Sequence, residues 1–81
     1  MKILQAIETK YVGPTNHRGS RVIATTPGGH RHTQQWDYAL SIDANHYAAA
    51  EALRTKLDWP AIRAGCTTNN GFVFATSILE A

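Results

Sequence analysis

Apolar positions along the chain follow a helical period in one segment only, and strand-like patterns lie before and after it. Within residues 43–59, apolar side chains recur at spacings of three and four and so form one face of a helix: Tyr47, Ala50, Leu53 and Leu57. Asp43 or Asn45 is predicted to cap the start, since either side chain can accept a hydrogen bond from a free amide of the first turn. Pro60 disfavours helical backbone at the residue before it, so the helix should end by Trp59.

The remaining apolar residues follow strand-like patterns that are separated by turn-forming residues. Strands are predicted over residues 2–12, 21–26, 30–38 and 71–79, and the breaks at 13–20, 27–29 and 69–71 are rich in Gly, Pro, Asn and Ser. Residues 61–66 are compatible with either a turn of helix or a short strand. In the third strand, alternation groups His30, His32, Gln34, Trp36 and Tyr38 on one face and Arg31, Thr33, Gln35 and Asp37 on the other.

These elements predict an α+β fold over residues 1–81 as a single domain. Its order is β-β-β-α-β, with one extra short strand if residues 61–66 are extended, and the helix packs on one face of an antiparallel sheet. The first and last strands are the most apolar, so they should lie near the centre of the sheet. The expected core is Ile3, Ile7, Val22, Leu53, Leu57 and either Phe72 or Phe74. The opposite sheet face is left to solvent or to a partner.

Composition narrows the class of protein. The chain has 81 residues, of which 43% are hydrophobic and 17% are charged, which suits a small globular domain acting as a monomer or a homodimer. No apolar run approaches the roughly 20 residues that span a bilayer, and the N-terminal segment is better explained as a strand than as a signal peptide. A single cysteine, Cys66, excludes a disulfide within the chain and fits a reducing compartment, so we expect a cytoplasmic protein.

Charge is distributed unevenly along the chain. Residues 1–32 carry five lysines and arginines against one glutamate, whereas residues 33–81 carry three against five acids, which together give the net charge of +2. The positive electrostatic field of residues 1–32 would attract phosphates or an acidic protein surface. The alternative is that the five cations are scattered over a solvated surface.

The loop at residues 11–21 is the most distinctive candidate for binding, because it combines an aromatic ring, two arginines, a histidine and glycines. Arginine forks bind phosphate or carboxylate, and aromatic rings and arginines dominate binding hot spots. We expect cations and rings of the front hairpins to converge on one recognition face, with these contacts: Tyr11, His17, Arg18, Arg21, Arg31, Trp36 and Tyr38. The alternative is a polar hairpin connection that satisfies its own backbone.

Catalytic and metal-binding patterns are weak. His30 and His32 lie two residues apart on one strand face, yet the remaining histidines and Cys66 match no familiar ligand spacing. Cys66 lacks an obvious base or orienting residue and is expected to be a buried or half-buried structural thiol. The prediction is therefore a protein that is not an enzyme and needs no cofactor, with a small metal-binding protein kept as the third functional alternative.

The segments YVGPTNHRGSR, WDYAL and NHYAAA together resemble small uncharacterised proteins of bacterial plasmids and phages. That resemblance covers most of the chain and implies a protein of a mobile genetic element. By analogy of size and origin, such proteins include inhibitors of host defence, among them anti-CRISPR proteins. Several of those inhibitors are acidic mimics of DNA, a mechanism that the mildly basic charge of this chain disfavours. The leading hypothesis is a binding protein that blocks a host protein or nucleoprotein complex, and the alternative is direct binding of nucleic acid.

Overall fold

A computed structural model describes residues 4–69 and 71–77, which form five strands and one helix. The elements are β1 (Leu4–Val12), β2 (Arg21–Thr25), β3 (Arg31–Gln35), α1 (Ile42–Leu57), β4 (Ile62–Thr67) and β5 (Gly71–Ser77). The strands form one sheet in the order β3-β2-β1-β5-β4, in which every neighbouring pair is antiparallel. The expected α+β fold is confirmed, and the extra short strand is β4. The expectation for the first and last strands is also confirmed, since β1 is central and β5 lies beside it.

Several element boundaries differ from the sequence prediction. Strand β3 ends at Gln35, before Tyr38, because the chain turns at Asp37, whose carbonyl accepts from the Leu40 amide at 3.1 Å. The helix is capped by Ser41 and not by Asp43 or Asn45: the Ser41 hydroxyl accepts from the Ala44 amide at 3.2 Å.

The helix also ends two residues earlier than predicted. Its last residue is Leu57, and Asp58 adopts the left-handed conformation at φ 57°. The Asp58 amide donates to the Thr55 carbonyl and the Trp59 amide to the Arg54 carbonyl. These bonds satisfy carbonyls that the helix end would otherwise leave free, in the manner of a Schellman-type C-terminus.

The hydrophobic core lies between α1 and one face of the sheet. Its buried members are Ile7, Val22, Ala24, Ala49, Ala50, Leu53 and Phe74, and five further apolar residues pack partly against them: Trp36, Leu57, Trp59, Ile62 and Phe72. Burial of Ile7, Val22 and Leu53 is confirmed, and of the two phenylalanines Phe74 is the more buried. Leu57 is only partly buried, and Ile3 lies outside the described residues.

Tyr47 departs from the predicted core face of the helix, since it is 46% exposed. The buried stripe runs instead through Asn45, His46, Ala49, Ala50 and Leu53. The helical period predicts which residues share a face but not how that face is rotated relative to the sheet. Ala49 and Ala50 are small, so the helix backbone can approach the sheet closely at those two positions. Tyr47 therefore sits at the margin of the stripe, with its ring edge-on to Phe74 at 5.9 Å.

The helix packs mainly across β1, β2 and β3 and only lightly on β5. Among the residues described, no second helix covers the opposite side of the sheet, which we call the open face. Strand alternation directs Glu8 and Lys10 of β1, Arg21 of β2 and Arg31 of β3 to it. Within the described part of the chain, no helix has the length and apolar character needed to cross a membrane.

Candidate functional site

The connection at residues 13–20 lies at one end of the sheet and is shaped by Thr15. The Thr15 amide donates to the Arg18 carbonyl at 2.7 Å, and its hydroxyl accepts from the amides of His17 and Arg18 at 3.3 and 3.1 Å. A threonine that bonds to nearby backbone in this way defines a tight turn. The turn therefore presents His17 and Arg18 as exposed neighbours at the start of β2.

A pocket of about 350 Å³ forms where this loop meets the open face of β2 and β3. We call it the basic pocket, and its lining residues are His17, Arg18, Gly19, Arg21, Thr33 and Gln35. Arg21 pairs with Gln35 across the strands, and Thr33 lies two residues before Gln35 on the same face. The lining thus consists of cationic and hydrogen-bonding groups without a carboxylate.

Arg21 is the best-defined cation of the basic pocket. One terminal nitrogen, Nη1, donates to the Gly19 carbonyl at 3.2 Å, which ties the half-buried guanidinium to the loop. Its Nε is buried and has no hydrogen-bond partner within the described structure. A buried donor without a partner lowers stability by roughly 1–3 kcal/mol, so the burial of this nitrogen is a local cost of the fold.

A second depression lies on the helix side of the same sheet end. We call it the aromatic groove; its volume is about 400 Å³, and its lining residues are Tyr11, Ser20, Trp36, Tyr38, Ile42 and His46. The Tyr11 ring stands edge-on to Trp36 at 5.1 Å, and its hydroxyl donates to the Ser20 hydroxyl at 3.1 Å. Tyr38 is 83% exposed and Ile42 63% exposed, so the groove carries large apolar side chains that the fold itself does not bury.

Asn45 holds the segment that carries these exposed side chains. It is 2% exposed, and its Oδ1 accepts from the Asp37 amide at 2.8 Å. Its Nδ2 donates to the carbonyls of Asp37, Leu40 and Ser41 at 2.9, 3.3 and 3.0 Å. One buried side chain thus ties down both ends of the turn at residues 37–41, whereas the sequence predicts it only as a helix cap.

His46 forms the inner wall of the aromatic groove. Its Nδ1 lies 2.8 Å from the Thr9 hydroxyl and forms a hydrogen bond with it, and that hydroxyl also lies 3.4 Å from the Phe72 carbonyl. Burial lowers the pKa of His46 below its ordinary value, and the nearby Asp43 carboxylate offsets part of this effect. Its ring also packs at 4.6 Å from Phe72. The neutral imidazole is a component of the core.

The predicted binding residues fall into three groups. His17, Arg18 and Arg21 share the basic pocket, whereas the predicted rings Tyr11, Trp36 and Tyr38 share the aromatic groove. Arg31 lies apart from both, because it pairs with Thr25 at the other end of the β2–β3 ladder, roughly 13 Å along the strands from Arg21.

The expectation of one recognition face for cations and rings is therefore wrong. Side chains alternate across a strand, so Ser20 and Arg21, like Gln35 and Trp36, lie on opposite sides of the sheet although they are adjacent in sequence. The two sites share one end of the sheet but open on opposite faces. The sequence pattern did not predict Ile42 as a residue of the groove; the signal that could have indicated it is an apolar side chain close to Tyr38 that the predicted core does not use.

The remaining candidates for chemistry have ordinary surroundings. His32 Nε2 pairs with Gln34 Oε1 at 2.9 Å, and its Nδ1 lies 3.4 Å from Lys56 Nζ. A search of the described residues finds no group of three or more histidines, cysteines or acids that could hold a metal ion. The expectation of a buried Cys66 is wrong: this thiol is exposed, because it lies on the open face of β4, which is an edge strand.

The fold and its two depressions define a small α+β protein with two neighbouring candidate contact surfaces. Comparison with family models, curated proteins and solved structures gave no match for this chain.

Proposed function

We propose that this chain is a non-catalytic binding protein that acts by occupying a surface of a larger partner. The observation that carries the proposal is the aromatic groove, at whose rim Tyr38 and Ile42 are 83% and 63% exposed. Contiguous apolar surface of this kind marks interaction sites, and rings seated beside a pocket are typical binding anchors. The rigid turn held by Asn45 supports the same role, because it presents these side chains with little conformational freedom.

The partner should present an apolar side chain for the groove and acidic groups around it. The chain carries a net charge of +2, and the basic pocket lies at the same end of the sheet as the groove. Acidic groups on the partner would therefore be attracted to this end and would speed association. A protein or nucleoprotein surface that is acidic around an apolar projection fits this chemistry best.

The setting that we propose is a host cell invaded by a mobile genetic element. The resemblance of the 11–21 loop and the segments around Trp36 and His46 to proteins of phages and plasmids supports this setting. In it, the chain would act in the cytoplasm, as a monomer or a homodimer, by blocking a host complex such as a CRISPR-Cas defence complex. The basic charge argues for direct contact with a protein surface and against mimicry of DNA.

Affinity purification from host cells tests the proposal. Wild-type protein should recover a defined partner that the double variant Tyr38→Ser/Ile42→Ser does not recover. Tyr47→Ser is the matched control, because Tyr47 is also a partly exposed tyrosine but lines a different pocket. Equal recovery by wild type and the double variant, with both shown to be folded by circular dichroism, would refute the role of the groove.

A second candidate function, direct binding of nucleic acid, is favoured by the charge of the open face. Lys10, Arg21 and Arg31 point to this face, and among the described residues Glu8 is the one acid on it. The rings lie on the other side, so the open face offers contacts to phosphates without stacking platforms. Affinity for DNA or RNA should then fall steeply as salt increases. Absence of binding to either at low salt would remove this candidate.

A further inference from the structure

We propose that the basic pocket is an oxyanion site for a phosphoryl group that carries two negative charges, either a phosphate monoester or inorganic phosphate. This inference deepens the proposed function by assigning a ligand to the second surface at the same sheet end. It does not depend on the aromatic groove, whose side chains face the other side of the sheet.

The donors of the basic pocket suit a tetrahedral oxyanion. Arg18 and Arg21 supply two guanidinium groups, and Thr33 and Gln35 supply a hydroxyl and an amide from β3. Arg21 is held in place by its bond to the Gly19 carbonyl, which uses one N–H of Nη1. A guanidinium binds two phosphate oxygens through parallel N–H groups, so an anion beside Arg21 would accept from the terminal N–H groups that this bond does not use.

The cations of the pocket are not neutralised from within. Among the described residues, the carboxylate found in an ion pair is Glu51, which binds Arg54 on the far part of the helix. Neither Arg18 nor Arg21 has a described carboxylate within ion-pair distance. Two guanidinium groups that line one pocket repel each other, and a dianion bound there adds an attraction to each of them. A singly charged carboxylate or phosphodiester would compensate only half of this charge.

Shape supports the same ligand class. A Cβ added at Gly19 would meet no atom of the chain within 4 Å, so packing does not require glycine at this position. Because glycine has no side chain, a ligand can approach the backbone of the pocket wall there. The volume of about 350 Å³ is larger than a phosphoryl group and leaves space for the organic part of a monoester. No phenyl, phenol or indole ring lines the pocket, so it recognises charge and hydrogen bonding without stacking on a base.

Isothermal titration at constant ionic strength tests the assignment with four probes: inorganic phosphate, methyl phosphate, dimethyl phosphate and acetate. Inorganic phosphate and methyl phosphate should both bind. Comparison of their affinities shows whether free phosphate or a phosphate monoester is the preferred ligand. Dimethyl phosphate and acetate should bind about tenfold more weakly, because each offers one negative charge. Dimethyl phosphate binding as tightly as methyl phosphate would overturn the dianion assignment and point to a phosphodiester backbone.

Variants identify the site. Arg21→Lys keeps the charge but removes the guanidinium fork and should weaken methyl phosphate binding about tenfold, since hydrogen bonds to charged groups are strong. Arg18→Ala/Arg21→Ala should abolish it. Arg63→Ala is the matched control, because Arg63 is an exposed cation on the distant strand β4. Equal binding by wild type and Arg21→Lys, or no binding of phosphate by folded wild type, would overturn the proposal.

This test and the capture of a partner can fail independently. Capture depends on Tyr38 and Ile42, whereas phosphate binding depends on Arg18 and Arg21. Phosphate binding without a captured partner would support the oxyanion site and refute the role of the groove. Capture of a partner by a protein that binds no phosphate would support the role of the groove and refute the oxyanion site.

Discussion

Removing the side chain of Asn45 should destabilise the protein strongly, although asparagine is a polar residue. Asn45→Ala deletes one accepted hydrogen bond, from the Asp37 amide, and the donor group that serves three carbonyls. The site is 2% exposed, so water cannot easily replace these contacts. The turn at residues 37–41 would lose the group that joins its two ends.

The expected loss of stability follows from the number of these hydrogen bonds. An amide nitrogen has two hydrogens for three carbonyls, so one hydrogen is shared and the side chain makes about three effective bonds. At a net value of roughly 0.5–1.5 kcal/mol for each bond, the loss should be about 2–4 kcal/mol. A chain of this length typically has a free energy of unfolding of about 4–12 kcal/mol. Asn45→Ala should therefore remove at least about a sixth of the total, and about a third at the middle of both ranges.

Urea unfolding followed by circular dichroism measures this loss. With a slope near 1 kcal/mol per M, typical of the smallest domains, the midpoint should fall by about 2 M or more. Asn16→Ala is the matched control, since Asn16 lies exposed in the 13–20 loop, and its midpoint should hardly move. Asn45→Asp keeps the acceptor but places a carboxylate beside three carbonyls, so it should be at least as destabilising as alanine. A loss below about 1 kcal/mol for Asn45→Ala would refute the reasoning.

Three further changes test the fold, each by the urea midpoint. Ser41→Ala should lower the free energy of unfolding by about 1 kcal/mol and Ser41→Asp should preserve it, because the Ala44 amide needs a side-chain acceptor; equal loss in both would contradict the cap. Gly71→Ala should destabilise by about 3 kcal/mol or more, since its Cβ would overlap the Thr9 carbonyl, whereas Gly19→Ala should be neutral; similar values for the two would refute this packing. The lowered pKa of His46 means that the unfolded chain binds more protons between that pKa and about 6.5, so stability should be full above pH 6.5 and fall as the pH drops through this window. The difference between wild type and His46→Gln should show this dependence, and a difference independent of pH would contradict it.

The fold class could be predicted from the sequence because it depends on periodicity. Alternation in the strands and the spacing of apolar residues in α1 are local properties, and they correctly placed Ile7 and Val22 of the sheet against Leu53 of the helix. The rotation of the helix could not be predicted, because it depends on how closely Ala49 and Ala50 approach the sheet. Tyr47 therefore lies at the margin of the packed face.

The sequence could predict which side chains lie close together but not the faces on which they lie. His17, Arg18 and Arg21 line one pocket, as expected of residues that one short loop carries. The role of Asn45 was missed because its partners are backbone groups up to eight residues away, which meet it only after the chain turns before α1. The exposure of Cys66 likewise depends on strand order, since β4 lies at the edge of the sheet.

The two surfaces at one sheet end have a common structural origin in the pairing of β2 with β3. Where these strands meet the 13–20 loop, Arg21 pairs with Gln35 toward the open face, and the Trp36 amide donates to the Ser20 carbonyl at 3.1 Å. The bond between the Trp36 amide and the Ser20 carbonyl joins the ends of β2 and β3, and it thereby places Trp36 at the rim of the aromatic groove and Arg21 at the rim of the basic pocket. A partner that contacts Tyr38 and also reaches Arg18 must therefore extend around the end of the sheet. Substitution of the exposed Arg18 or Tyr38 should then weaken one of the two proposed contacts without disturbing the core, because neither side chain belongs to the buried cluster between the sheet and α1.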